Sequence, residues 1–257
     1  MRERLDVSLV RRGLVASRSV AQRLIADGAV RVSGQVVERS SAKVDTETRL
    51  DVDSERLRFV GRGGEKLDHA LKVFGVDVRE AEAIDCGSST GGFTDCLLQH
   101  GAARVLAVDV GTDQLVAPLR RNARVTVMEQ TDIRSLDPAA VGAPFDVVVA
   151  DLSFISLRTV LPVLAGLGGR DTSFLLLVKP QFEVGRSHLG HSGVVRDAAV
   201  RHEAVRGVVV AAAECGLTLG GVTPSGLPGS SGNIEYMVLL CRGEPTASLW
   251  PDMRNAP

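Results

Sequence analysis

The sequence predicts an α/β protein: a doubly wound, mainly parallel sheet, preceded by a small α+β module. Three observations predict it. From Leu67 onward, short apolar runs alternate with stretches of helical spacing, the pattern of a parallel sheet covered on both faces. The run Ile84-Asp85-Cys86-Gly87-Ser88-Ser89-Thr90-Gly91-Gly92-Phe93-Thr94 reads as an apolar strand end, a small-residue turn and a helix start. The first sixty residues differ in kind, with two short helical patterns and several short strands.

Taken in order, residues 6–15 place Val7, Val10 and Leu14 at helical spacing, with Gly13 near the stop. A second helix is predicted from Ser17 or Ser19, as N-cap, to Ala26. Its inner face is Val20, Ala21, Leu24 and Ile25, and Asp27-Gly28 ends it. Residues 30–37 predict a hairpin with Ser33-Gly34 at the turn. Residues 48–52 and 57–60 predict further short strands. Gly61-Arg62-Gly63-Gly64 predicts a hinge. Beyond it, strands are predicted to end at Asp85, Asp109, Met128, Asp151, Lys179, near Val222 and near Leu240. Helices are predicted at 90–100, 157–167 and 198–215. The boundaries that follow are 1–60 for the N-terminal module, 61–66 for a linker, 67–245 for the sheet domain and 246–257 for a loose tail.

Bulk properties exclude some classes. The longest apolar runs, such as residues 174–178 and 208–213, fall far short of the ~20 residues that span a bilayer. No apolar signal region follows the first basic residues. A cytoplasmic protein with no membrane partner is expected. Cys86, Cys96, Cys215 and Cys241 have no metal-type spacing, which predicts reduced thiols and no metal. Net charge is −1, but it is unevenly spread. Residues 1–66 carry 14 Lys+Arg against 10 Asp+Glu, and the remainder carries 16 against 21. Arg2, Arg4, Arg11, Arg12, Arg18, Arg23 and Arg31 precede any lysine. Guanidinium forks match phosphate oxygens, so the basic module is a candidate polyanion contact.

Ligands of a doubly wound sheet bind beyond the carboxyl ends of its strands. Asp109 lies there, 18 residues after Gly91, at the end of the run 105–108. Glycines let a backbone approach a ligand, and a strand-end acid accepts hydrogen bonds from ribose hydroxyls. The turn lacks phosphate-loop spacing, and no Lys-Ser or Lys-Thr follows it. A ligand with a ribose and no phosphate is favoured, with S-adenosylmethionine (SAM) leading. An ordinary βα turn with a solvated Asp is the plainer alternative. Lys66, Asp151, Lys179 and Glu235 form a second constellation. Lys179 directly follows four apolar residues, a costly place for a charge unless it projects into the crevice.

Long blocks in a fixed order resemble the TlyA family. They are Arg4-Leu5-Asp6 with residues 9–14 and Ser17-Arg18; Arg62-Gly63-Gly64-Glu65-Lys66-Leu67; residues 85–94; Ala150-Asp151-Leu152-Ser153-Phe154-Ile155-Ser156; residues 178–185; and residues 229–236. The family joins an S4 RNA-binding domain to an FtsJ-like SAM-dependent 2′-O-methyltransferase domain with a Rossmann-like sheet. The resemblance covers nearly the whole chain. It implies a Lys-Asp-Lys-Glu tetrad at Lys66, Asp151, Lys179 and Glu235. It implies methylation of cytidine ribose in 16S or 23S ribosomal RNA, with ribosomal subunits as partners and a link to capreomycin susceptibility. The family also carries a hemolysin label, which no sequence feature supports. Two departures are His188 and His191 in the stretch after Gly185, and Arg58-Phe59-Val60-Gly61 where some members carry Trp.

With the resemblance, the SAM contacts expected are Gly87, Ser88, Ser89, Thr90, Gly91, Gly92, Asp109, Val110, Asp132, Ile133 and Asp151. Thr90 to Gly92 would face the methionine moiety, Asp109 the ribose and Asp132-Ile133 the adenine. Lys179 is the expected base or oxyanion stabiliser. Arg4, Arg11, Arg12, Arg18 and Arg23 are the expected RNA contacts. A methyltransferase acting on a small molecule and a non-catalytic RNA-binding protein remain open beside this reading.

Overall fold

Short elements stopped by glycine turns build the start of the chain. The computed structural model describes residues 2–15, 17–26, 28–53, 58–185, 189–190, 193–229 and 231–243, in two units, Met1–Arg58 and Phe59–Pro257. In the first unit β1 (Arg2–Arg4) runs into α1 (Leu5–Arg11), followed by α2 (Arg18–Ala26). Ser17 caps α2, its Oγ accepting from Val20 N at 3.3 Å. β2 (Val30–Val32) and β3 (Gln35–Val36) form the predicted hairpin. Ser33 and Gly34 at its turn have φ of 51° and 85°, the pair of left-handed residues that matches strand twist. β4 (Lys43–Asp45) pairs with β1, and β5 (Leu50–Val52) pairs with β2, both antiparallel. Leu5, Leu9, Ala21, Leu24, Ile25, Val30 and Val44 form the core between them.

Two expectations fail in this region. β1 and β4 are unpredicted, being only three residues each, and Arg2-Glu3-Arg4 shows no apolar alternation. The strand expected at 57–60 is absent: residues 58–60 are bends, and Leu57 lies outside the described residues. Asp27, the side chains of Ser19 and Arg23, His188, His191 and the tail from residue 244 also lie outside them.

In the second unit α3 (Arg62–Phe74) leads into β6 (Glu82–Cys86), α4 (Gly92–Gln99), β7 (Arg104–Val108), α5 (Ala117–Arg120) and β8 (Val125–Met128). The chain continues through β9 (Phe145–Ala150), α6 (Leu157–Gly166), β10 (Gly168–Val178), α7 (Pro180–Glu183), α8 (Ala198–Glu214), β11 (Thr218–Pro224) and β12 (Tyr236–Cys241). The sheet order is β11-β12-β10-β9-β6-β7-β8. β6 to β10 pair in parallel, while β12 is antiparallel to both its neighbours. Alternate residues serve opposite faces. Val148, Phe174, Leu176 and Val238 join the core under α6 and α8. Val147, Val149, Leu175 and Leu177 join the core under α3 and α4. Two-sided burial is why these strands read as continuous apolar runs.

The linker expected at 61–66 is a correction. Residues 62–66 are the first turns of α3, and Gly61 is its N-cap. The glycines serve contact, not flexibility. A Cβ on Gly64 would lie 2.4 Å from Phe59 Cβ and 2.9 Å from Gly92 O, and one on Gly92 would lie 3.0 Å from Gly64 N. The starts of α3 and α4 touch backbone to backbone, and only glycine permits it.

Asp6 organises the polar side of the first unit. It is fully buried. Its carboxylate accepts from Arg4 Nε at 2.9 Å, Arg18 at 3.1 Å, Gln22 Nε2 at 2.8 Å and Val7 N at 3.0 Å. The Arg4 hydrogen bond, foremost, holds its pKa well below the usual carboxylate range. The stabilisation is complete above the unfolded value of about 3.9 and fades as pH falls below it. Asp6→Ala should destabilise α1 and α2 by about 1.5–3 kcal/mol near neutral pH. Hydrogen exchange of their amides measures this, and the gap between variant and wild type should close in acid.

Candidate active site

The chain winds outward from β6 in one direction to β8, then returns to β9 on the other side. The crevice at that switch, beyond the carboxyl ends of β6 and β9, is where a sheet of this kind holds a ligand. A cavity of about 530 Å³ opens there. Gly87, Ser89, Asp109, Val110, Asp132, Ile133 and Asp151 line it. A second cavity of about 190 Å³ includes Ser88, Thr90, Gly92 and Lys179. Gly87, Ser89, Asp151 and Ser153 border both. Gly91 lines neither. It holds φ of 102°, and a Cβ there would lie 2.3 Å from Leu119 Cδ1, so it packs the turn onto α5.

Loop carboxylates hold the crevice in shape. Asp109, just past β7, accepts from Ser89 N at 2.8 Å and Gly111 N at 2.7 Å. Glu129, just past β8, accepts from the backbone N–H of Asp113, Gln114 and Leu115 and from Arg120 at 2.6 Å. Arg120 foremost pulls its pKa down to about 2. Asp132 is likewise held at about 2, chiefly by the side chain of Arg134. Sequence reasoning missed Glu129 and Arg134. Glu129 offered the same signal as Asp109, an acid at a strand end.

The four expected catalytic residues meet as two ion pairs. Lys66, on the second turn of α3, bonds Glu235, just before β12. Both are buried, at 6% and 3% exposure. Gly229 makes room for that acid: a Cβ there would lie 2.3 Å from Glu235 Oε1. Lys179, past β10, lies 2.6 Å from Asp151 Oδ1, past β9. These strands are parallel neighbours, so the two residues leave the sheet at one edge. Gln181 Nε2 donates to Glu235 Oε1 at 3.4 Å, tying that acid to the segment after Lys179. Ser153 Oγ accepts from Lys179 Nζ at 2.7 Å. Neither Gln181 nor Ser153 was expected. Phe154, beside Ser153 at the cavity rim, is 92% exposed with φ of 65° and lies 5.3 Å from the Phe182 ring.

In the first unit, Arg4 and Arg18 pair with Asp6, and Arg11 pairs with Glu3 at 2.6 Å. Arg12 is spent internally, donating to Thr48 O at 2.6 Å and Asp45 O at 2.8 Å.

Comparison with known proteins agrees with this architecture. The FtsJ-like methyltransferase family matches residues 59–242 and the S4 domain family matches residues 3–50. The 16S/23S rRNA (cytidine-2′-O)-methyltransferase TlyA of Mycobacterium tuberculosis is 49% identical over 93% of this chain and 90% of its own length. The chain belongs to the TlyA family. It is thus an enzyme of the FtsJ-like methyltransferase class with an S4 domain ahead of it. Hemolysin A of Brachyspira hyodysenteriae, also similar, is 36% identical over 91% of this chain and 98% of its own. A solved Streptococcus thermophilus protein that carries a hemolysin name superposes with a TM-score of 0.76 at 39% identity, covering 96% of this chain and 90% of that one. A SAM-dependent methyltransferase of Listeria monocytogenes shares the fold alone, with a TM-score of 0.52 at 17% identity over 72% of this chain and 100% of its own. Among the described residues, no helix is long and apolar enough to cross a membrane.

In this TlyA relative Asp85 is the unusual acid, sealed inside β6 and lining neither cavity. It is fully buried on β6 and accepts from Thr94 Oγ1 at 2.6 Å. Burial foremost raises its pKa to about 7, the Thr94 bond opposing and the Asp151 charge adding. A raised acid stabilises the fold fully below the unfolded value of about 3.9 and loses that contribution as pH climbs through 7. The second unit should lose stability across this window, and Asp85→Asn should flatten the decline. Calorimetric unfolding of both proteins between pH 4 and 8 decides it, and an unchanged slope in the variant would reject the assignment.

Proposed function

We propose that this chain transfers the methyl group of SAM to the 2′-hydroxyl of a cytidine ribose in 16S or 23S ribosomal RNA. The observation that carries the reading is the Lys179–Asp151 pair at the edge of a nucleoside-sized crevice, with the buried Lys66–Glu235 pair tied by Gln181 to the segment that follows Lys179. The residues present suit SAM. Ser88 Oγ, at the glycine turn beside the smaller cavity, is buried without a hydrogen-bond partner among the described residues, so a polar ligand meets unspent capacity there. Gly87, Ser88, Ser89, Thr90 and Gly92 would cradle the methionine end, with Gly91 holding the turn against α5. Asp109 and Val110 would meet the ribose, Asp132 and Ile133 the adenine, with Asp151 at the junction. Bound SAM supplies an electrophilic methyl group.

The chain's own residues supply the rest. A ribose hydroxyl is a weak nucleophile near neutral pH. A neutral Lys179 takes its proton as the carbon–oxygen bond forms; a charged Lys179 stabilises the developing oxyanion instead. Asp151 orients Lys179, and Glu235 neutralises Lys66. The S4 unit would hold RNA phosphates through Arg4, Arg11, Arg18 and Arg23, while Arg12 keeps its own fold together. The names of the relatives support ribosomal RNA, and exposed Phe154 suits an unstacked base. An RNA substrate implies ribosomal subunits as partners, a cytoplasmic location and no membrane partner, and the chemistry needs no metal. Loss of the methyl mark should alter capreomycin susceptibility.

Methyl transfer from tritiated SAM to ribosomal subunits that lack the modification tests the reading. RNA-dependent label is expected. Turnover without RNA would favour a small-molecule substrate. Asp109→Ala should weaken SAM binding by about 1.5–3 kcal/mol, read by calorimetric titration; unchanged affinity in the folded variant would move the ribose elsewhere. Lys179→Ala should slow single-turnover transfer by roughly 10²–10⁴-fold with little change in SAM affinity. Lys179→Arg separates the two roles, since guanidinium does not deprotonate in this range: substantial activity would assign electrostatic stabilisation.

A further inference from the structure

We infer that Ser153 is a positioning residue for methyl transfer, fixing with Asp151 the direction in which Lys179 Nζ meets the substrate oxygen. The inference rests on the reading of Lys179 given above. Lys179 Nζ lies 2.7 Å from Ser153 Oγ and 2.6 Å from Asp151 Oδ1. A neutral amine carries one carbon, two hydrogens and one lone pair. The hydrogen bond to Ser153 Oγ fixes one N–H direction and the Asp151 carboxylate draws Nζ to its side, so the lone pair is left a restricted range of directions. In the charged form an N–H occupies that range in place of the lone pair, so one arrangement serves either role. Lys179, Ser153 and Asp151 all border the smaller cavity. Without Ser153, Nζ keeps one anchor and turns freely about its last bonds.

A separate observation shows that this hydrogen bond is held from both ends. Glu183, the last residue of α7, is buried. Its carboxylate accepts from Ser156 Oγ at 2.5 Å and Leu157 N at 2.6 Å. Arg158 adds bonds to its carboxylate at 3.3 Å and its carbonyl at 2.6 Å. α7 begins directly after Lys179, and Ser156 lies three residues after Ser153. The two segments that carry the bond are therefore locked to each other. Between them Phe154 holds φ of 65°, a conformation that a bulky side chain adopts when its surroundings impose it. Ser153 itself is exposed, so its hydroxyl is not needed for packing.

The test compares Ser153→Ala, Ser153→Thr, Lys179→Ala and the Ser153→Ala/Lys179→Ala double variant in single-turnover methyl transfer to ribosomal subunits. Ser153→Ala should lower the rate at saturation about ten- to a hundredfold, the scale of a misplaced reacting group. Affinities for SAM and RNA should stay within about twofold of wild type, which also certifies the fold. Ser153→Thr keeps the hydroxyl and has room for its methyl, so it should recover most of the rate. In the Lys179→Ala background, Ser153→Ala should cost nothing further, because residues acting as a unit are not additive. A normal rate in Ser153→Ala, weaker SAM binding at unchanged rate, or multiplied losses in the double variant would each overturn the inference while Lys179→Ala stays slow. A near-normal rate in Lys179→Ala would instead remove the reading on which it rests.

Discussion

Lys66 and Glu235 form the interaction on which the second unit turns. Taking an ammonium and a carboxylate out of water costs several kcal/mol each, recovered only when the two charges meet in good geometry. Here they meet across 169 residues of chain. The pair joins the first helix of the unit to the approach of its last strand. Gly229 leaves space for the acid, and Gln181 touches it from the segment after Lys179. Loss of either charge would strand the other inside the protein.

Around it, acids of one kind do different work because their surroundings differ. Glu129 and Asp132 are kept ionised by arginines and by backbone N–H groups, and both shape loops. Asp85, sealed on the face beneath α3 and α4, is pushed toward its neutral form. Asp151 keeps Lys179 beside it. A crevice holding this many carboxylates stays assembled because few of them face one another uncompensated.

Strand ends were legible in the sequence for a physical reason. Burial on both faces makes each parallel strand a continuous apolar run, and the first polar residue after it marks the edge where ligands bind. That logic reached Asp109, Asp151 and Lys179 directly; Asp85, expected at the edge, lies buried inside β6. It could not give the direction of β12, since Met237 to Leu240 reads alike either way. The glycines at 61–64 were misread because glycine signals both freedom and close approach, and only Phe59 and Gly92 pressed against them decide which. Ser153 and Glu183 were illegible because a hydroxyl or a buried acid takes its meaning from partners more than twenty residues away. Among the arginines, sequence supplied the charge but not the engagement: Arg12 turned inward, while Arg4 and Arg18 share Asp6.

The position of β12 has a consequence for how the chain comes to be folded. Among the described residues it is the last strand to be made, yet it occupies an interior place, between β10 and β11. Until residues 236–241 leave the ribosome, β11 has no partner in the sheet, and β10 presents an open apolar edge along Phe174 to Val178. Exposed edges of that kind invite pairing with other chains. A nascent polypeptide that has completed β6 to β10 therefore carries most of its core and none of its protection. This strand closes the sheet and delivers Glu235 to Lys66 in one event, so the buried ion pair and a protected sheet arrive together.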